Sequence, residues 1–157
     1  TLSAPDMRLD RQVVGGVTLI NDAYNANPVS VGAAIDELQA IPTEGRRILV
    51  LGDMFELGEY SARLHRQVGR RAARAGIDTI WAIGEHAGEV ADGADSISRW
   101  TGEQYRSLTT EDAVQSIPVS PRPGDVVLVK GSRGMRLERL YNRLADVPAG
   151  AEVPSPV

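Results

Sequence analysis

The 157 residues include no cysteine, which excludes a disulfide framework, a thiolate metal site and a cysteine nucleophile. No apolar run approaches the roughly 18 residues that a membrane span needs, and the first residues lack the pattern of a secretory signal, so a cytoplasmic protein with no membrane partner is expected. A basic surplus is missing as well: 17 Lys and Arg against 21 Asp and Glu leave a net charge of -4, which argues against a nucleic-acid partner. No Gly-x-x-x-x-Gly-Lys-Ser/Thr occurs, so the chain cannot cradle a triphosphate by a P-loop, and no Gly-x-Gly-x-x-Gly follows the first strand. Lysine is almost absent: Lys130 is the single lysine among the 17 basic residues.

What remains is ordinary for a folded domain, with 42% hydrophobic and 24% charged residues in a length that suits one core. Thr1 to Asp10 has little hydrophobic periodicity, and Val147 to Val157 is rich in Pro, Ala and Gly without a pattern. One domain over 1–146, cut from a larger enzyme, with a flexible tail over 147–157, is therefore expected.

Arg11–Val14 and Val17–Ile20 read as a hairpin joined by Gly15-Gly16. The chain then alternates. A helix over Pro28–Ile41 carries Val31, Ala34, Ile35 and Leu38 on one face, and Arg47–Leu51 follows as a strand. Ser61 caps a helix with Leu64, Val68, Ala72 and Ala75 on its buried side and Gly76 at its end. Arg70, Arg71 and Arg74 sit in its last turns, where cations complement the helix dipole. Asp78–Ile83 is a strand, a short helix spans Glu85–Ala91, and Tyr105–Leu108 is a weak strand. Thr109 and Asp112 mark a capped helix to Ile117; Val126–Val129 is an apolar run of the kind buried on both faces, and Leu137, Leu140, Tyr141 and Leu144 mark the last helix. The alternation predicts an α/β fold: a doubly wound, Rossmann-like, mostly parallel sheet with an antiparallel hairpin at the N-terminus.

In such sheets ligands bind beyond the carboxyl ends of the strands, which singles out three loops. Asn21-Asp22-Ala23-Tyr24-Asn25-Ala26-Asn27-Pro28 packs polar side chains where a strand hands over to a helix. Asn27 suits the N-cap and Pro28 the first helical position, which leaves Asp22, Tyr24 and Asn25 without a structural task. In Gly52–Glu59, Asp53 and Glu56 can bind a cation or a sugar hydroxyl, although capping of backbone amides is the favoured role. After Val129, Lys130 is either a point charge for an anion or a side chain reaching out from a strand end, and Gly131, Ser132 and Gly134 form a tight turn able to present N–H groups. His65 is expected to be partly buried and hydrogen-bonded rather than a catalytic base, and His86 is expected on the surface.

Together the Asn21–Pro28 segment, the run Gly52-Asp53-Met54-x-Glu56-Leu57-Gly58 with Ser61 and His65, and Val129-Lys130-Gly131-Ser132-Arg133 resemble the C-terminal domain of the Mur ligases in content, order and spacing. The resemblance spans Met7 to Leu144 and is strongest to the branch that adds D-Ala-D-Ala. It implies part of an ATP-dependent amide ligase of peptidoglycan precursor synthesis, in which the terminal carboxylate of UDP-MurNAc-tripeptide becomes an acyl phosphate that the amine of D-Ala-D-Ala attacks. It implies further that ATP and Mg2+ are held mainly by a central domain absent here, beside an absent N-terminal domain for the UDP end. No catalytic residue or metal ligand is then expected in this chain, and the chain alone should be inactive. Carried over residue by residue, Asp22 matches the acid at the ATP ribose, Tyr24, Asn25 and Asn27 lie around the nucleotide, and Lys130, Gly131, Ser132 and Arg133 lie where the incoming amino acid is held.

A second reading comes from another class. Asp22, Asp53 and Lys130 each follow a strand, an arrangement that also suits a phosphoacceptor receiver domain with Asp53 as acceptor and Lys130 as its partner. Asn21-Asp22 in place of paired acids, and Lys130-Gly131 in place of Lys-Pro, count against it.

Overall fold

The computed structural model describes residues 10–146, so the expected tail over 147–157 and most of the Thr1–Asp10 segment lie outside the described residues. β1 (Asp10–Val14) and β2 (Val17–Asp22) form the antiparallel hairpin, with Gly15 and Gly16 at φ 56° and 82°, the positive values that a two-residue primed turn requires. There follow α1 (Pro28–Ala40), β3 (Arg47–Gly52), α2 (Ser61–Arg74), β4 (Thr79–Ile83), α3 (Ala87–Asp95), β5 (Glu103–Ser107), α4 (Thr110–Gln115), β6 (Val126–Lys130) and α5 (Glu138–Asp146). Single 3-10 turns occupy Gly58–Tyr60 and Arg133–Met135. The sheet order is β1-β2-β6-β3-β4-β5, and every pair except β1 with β2 is parallel.

Each central strand is buried on both faces, which explains its unbroken apolar run. Residues of one parity, such as Leu49, Leu51, Ile80 and Leu128, pack under α1, α2 and α3. Those of the other parity, such as Ile48, Val50, Trp81, Val127 and Val129, pack under α4 and α5. The sheet is therefore wound on both faces, as the alternation of elements predicted.

Boundaries shift by a few residues. β2 runs on to Asp22, α3 starts two residues late and extends to Asp95, and α4 stops at Gln115. A larger correction concerns α2. Its buried residues are His65, Val68, Gly69, Ala72 and Ala73, whereas Leu64 and Ala75 are only half-buried. The stripe is rotated because α2 meets α3 through glycines: a Cβ on Gly69 would fall on the Val90 carbonyl oxygen, and one on Gly93 on that of Arg66. Close approach of two backbones, more than side-chain hydrophobicity, sets that face.

The amino ends of the strands are fastened by charge. Asp125 is buried and accepts from the Arg46 backbone N–H at 2.8 Å, the Arg46 guanidinium at 2.7 Å and the Arg122 N–H at 2.8 Å. Burial by itself would raise this carboxyl, but the Arg46 and Arg122 donors outweigh it and hold the group below its ordinary value. The opposite rim is left for binding.

Candidate functional site

At that carboxyl rim the chain leaving β2 and β3 turns to the helices of one face, and the chain leaving β6 turns to the other. β6 lies between β2 and β3, so a crevice opens where the winding direction changes, the place where ligands sit in open α/β sheets. A cleft of about 350 Å³ lies there, lined by Tyr24, Asn25, Ala26, Phe55, Glu56, Ser132, Arg133 and Gly134. All three loops singled out in the sequence meet in it.

On the β2 side, the Asn21 side-chain oxygen accepts from the Ala23 N–H at 3.1 Å and turns the chain at the strand end. Tyr24 and Asn25 stand exposed on the rim. Asn27 caps α1: its Oδ1 accepts from the Ser30 N–H at 2.9 Å while the Ser30 hydroxyl accepts from the Asn27 N–H at 3.0 Å. Its side-chain oxygen is thus held by the helix, as the sequence predicted, and only its amide nitrogen is available to a ligand.

Asp22 lies deeper than a loop residue. It ends β2 in register with Lys130 at the end of β6, and its Oδ2 lies 3.0 Å from the Lys130 Nζ. Both side chains are buried, so the two candidate charges, taken separately in the sequence, form one ion pair beneath the cleft. Lys130 is therefore neither an exposed anion receptor nor a side chain reaching into water.

Past Lys130, Gly131 and Ser132 are also buried. A Cβ on Gly131 would run into the Leu137 side chain, and the Ser132 hydroxyl donates to the Asp53 carbonyl at 3.1 Å, tying the β6 loop to the β3 loop. Arg133 emerges. Its guanidinium carbon stands 4.3 Å from the centre of the Tyr24 ring, so the planar cation is stacked on an aromatic face with its donor edge free to meet a carboxylate. Of the four residues expected to hold the incoming amino acid, Arg133 is the exposed one.

The β3 side supplies a wall. Asp53 is buried and its carboxylate accepts from the Glu85 N–H at 2.8 Å and the His86 N–H at 3.0 Å, the structural capping role favoured from sequence, exercised across the sheet on the loop before α3. Phe55 and Glu56 project to the cleft, with Glu56 at φ 62°, and a Cβ on Gly134 would strike the Phe55 ring. Phe55 was missed in the sequence; its glycine-bounded loop was the available signal. His65 is fully buried and hydrogen-bonded, as anticipated, but His86 is not a plain surface residue: its side chain is 27% exposed and stacks on His65 with ring centres 4.4 Å apart. The phosphoacceptor reading finds no support, since the Asp53 carboxylate is enclosed and occupied with amides while Lys130 belongs to Asp22.

The structure is thus a Rossmann-like α/β domain whose switch-point cleft is lined by an arginine, an asparagine and two aromatic rings. The chain belongs to the family described as "Mur ligase, glutamate ligase domain", whose profile matches residues 7–133. It is 34% identical over 154 residues to the UDP-N-acetylmuramoyl-tripeptide--D-alanyl-D-alanine ligase of Bacillus subtilis, covering 94% of this chain and 32% of that enzyme. It is 35% identical over 137 residues to the enzyme of the same name from Escherichia coli, covering 86% of this chain and 28% of that enzyme. The fold superposes on MurF from Acinetobacter baumannii with a TM-score of 0.75 at 29% identity, over 89% of this chain and 30% of that one. MurF from Thermotoga maritima in complex with ADP gives 0.67 at 27% identity, over 88% of this chain and 30% of that one. The chain thus spans about a third of the length of the proteins it matches.

Proposed function

We propose that residues 1–146 are the C-terminal domain of a cytoplasmic, ATP-dependent ligase that joins D-Ala-D-Ala to UDP-MurNAc-tripeptide, and that the domain closes over a nucleotide held by a central domain. The observation that carries this reading is the convergence of three loops on one switch-point cleft in a chain whose relatives bear the name of that ligase. ATP, when bound, supplies the activation of the tripeptide carboxylate as an acyl phosphate. The domain's own residues suit the outer parts of that assembly. Asp22, whose Oδ2 is paired with Lys130, keeps Oδ1 as an acceptor for a ribose hydroxyl, and Asn25, the Asn27 amide and the Tyr24 ring flank it. Arg133 suits the dipeptide carboxylate through two parallel N–H bonds, while Tyr24 holds the guanidinium plane.

The domain then acts by orientation and by excluding water. An amine anchored by its carboxylate is held at the acyl carbon, and Tyr24 and Phe55 cover the reacting groups against hydrolysis. Among the described residues no group of three or more His, Cys, Asp or Glu side chains is placed to hold a metal ion, and the cleft's buried carboxylates are occupied with Lys130 and with amides. In this reading Mg2+ is held with the ATP phosphates by the central domain.

Replacing the C-terminal third of the Bacillus subtilis ligase with this chain tests the assignment. The chimera is expected to form UDP-MurNAc-pentapeptide, and the chain alone is expected to hydrolyse no ATP. A soluble chimera that binds the UDP substrate yet transfers no D-Ala-D-Ala would overturn the reading.

A further inference from the structure

Both histidines of the chain meet in one stack behind the cleft wall, outside the residues assigned to either ligand. The ring planes are inclined by 24°. His65 Nδ1 lies 2.7 Å from the Ser61 carbonyl oxygen, which can only accept, so Nδ1 carries a proton. His65 Nε2 lies 3.0 Å from the Met54 nitrogen, whose N–H donates, so Nε2 is bare. The two backbone partners together select the neutral Nδ1–H tautomer.

The Met54 amide leads directly into the wall of the cleft. Met54 is buried, Phe55 and Glu56 follow it, and Glu56 needs a left-handed backbone that only a held chain keeps. Asp53, just before, is already fixed by Ser132 through its carbonyl and by the Glu85 and His86 amides through its carboxylate. His65 is the remaining hold, through its Nε2 on the Met54 N–H.

We infer that His65 is a positioning residue of the cleft, whose bare Nε2 sets the stance of Phe55 and Glu56 through the Met54 amide. The titratable groups facing His65 are Asp53 from the β3 loop, His86 from the β4 loop and Glu89 from α3. A proton on His65 Nε2 would set a donor against the Met54 N–H. A proton on His86 Nε2 meets the Ser61 hydroxyl at 3.0 Å instead, and a hydroxyl can turn from donor to acceptor. His86 Nδ1 lies 2.8 Å from the Glu89 carboxylate. Burial is the largest influence holding His65 below its ordinary value; the Ser61 carbonyl, Asp53 and Glu89 oppose it, and His86 adds to it.

The functional weight of this brace rests on the cleft being the ligase site, so the test reads the loop itself as well as catalysis. In 15N-labelled chain, the Met54, Phe55 and Glu56 amides should move together as pH falls and His65 takes a proton. In H86A the loop transition should move to higher pH. H65Q, whose side-chain oxygen reaches the place of Nε2, should keep the loop shifts and abolish the transition; H65N, which reaches only toward Ser61, should lose them, with Leu49 and Leu128 amides reporting that the core persists. A transition that survives in H65Q, or loop shifts that H65N keeps, would overturn the inference. In the longer enzyme H65N should raise the KM for D-Ala-D-Ala about fivefold, with H65Q near wild type. A loop that titrates as described while both KM values stay put would keep the brace and remove the assignment of this cleft to the dipeptide.

Discussion

Asp22 and Lys130 end neighbouring parallel strands in register, carboxylate to ammonium at 3.0 Å, both almost without exposure. Two charges taken out of water are retained only because each neutralises the other. Deleting either one leaves an uncompensated buried charge, so Asp22→Ala and Lys130→Ala should each lose about 3–5 kcal/mol of stability. The pair Asp22→Leu with Lys130→Met should lose far less than the sum, as read by urea unfolding. Asp22→Asn keeps the shape and an acceptor oxygen but not the charge, so a kinetic test of a ribose contact with either variant needs the folded fraction measured beside it.

Arg133 gives the sharpest kinetic expectation. It is exposed, stacked on Tyr24 and without a carboxylate partner among the described residues, so Arg133→Ala should cost one charge-assisted contact to the dipeptide, about 1.5–3 kcal/mol. In the full-length enzyme the KM for D-Ala-D-Ala should rise about 10- to 100-fold while the KM for ATP stays within about twofold. Tyr24→Phe keeps the ring face and should change little. Tyr24→Ala removes a stacking contact worth about 0.5–1 kcal/mol and should raise the dipeptide KM about two- to fivefold. An equal rise in both KM values for Arg133→Ala would place the arginine at the nucleotide instead.

Acid should destabilise the fold in two separate steps. His65 is held below its ordinary 6.5, so the unfolded chain binds the proton first. Its contribution is complete above about pH 6.5 and falls as pH drops from there toward the folded-state value. Asp125 is held below its ordinary 3.8, so its contribution is complete above that value and is lost as pH falls toward and through its lower folded value. Urea unfolding across pH 8 to 3 should show the first decline in the wild type and not in His65→Gln. Asp125→Asn should remove the second decline while lowering stability at neutral pH.

The fold was legible because the chain carries two kinds of pattern that physics reads directly: unbroken apolar runs at β3, β4 and β6, and periodic helices between them, although Ser61 starts α2 without the side-chain cap expected of it and only Thr109, before α4, supplies one. The three loops were legible because polar residues without a structural task gathered at strand ends. What was not legible is how the strands are ordered. Inserting β6 between β2 and β3 makes Asp22 and Lys130 neighbours and turns two separate candidates into one pair. Nor did sequence spacing reveal the His65–His86 stack, since the two rings come from different crossover units brought together by the close packing of α2 on α3.

That close packing makes its own prediction. Alanine is the better helix former by about 1 kcal/mol, so an exposed glycine in a helix gains stability on substitution. Gly69 in α2 and Gly93 in α3 should do the reverse, because an added methyl at either would fall on a carbonyl oxygen of the facing helix, Val90 or Arg66. Backbone cannot rotate away as a side chain can, so the helices must separate and the overpacking should outweigh the propensity gain, for a net loss of about 2 kcal/mol each. The double variant should lose less than the sum, since the first methyl already opens the interface that the second needs. Gly88→Ala, where the nearest atom to a new Cβ is the Arg106 guanidinium at 3.7 Å, should be neutral or stabilising by urea unfolding, and a matching loss there would mean that helix α3 resists alanine for reasons unrelated to its contact with α2.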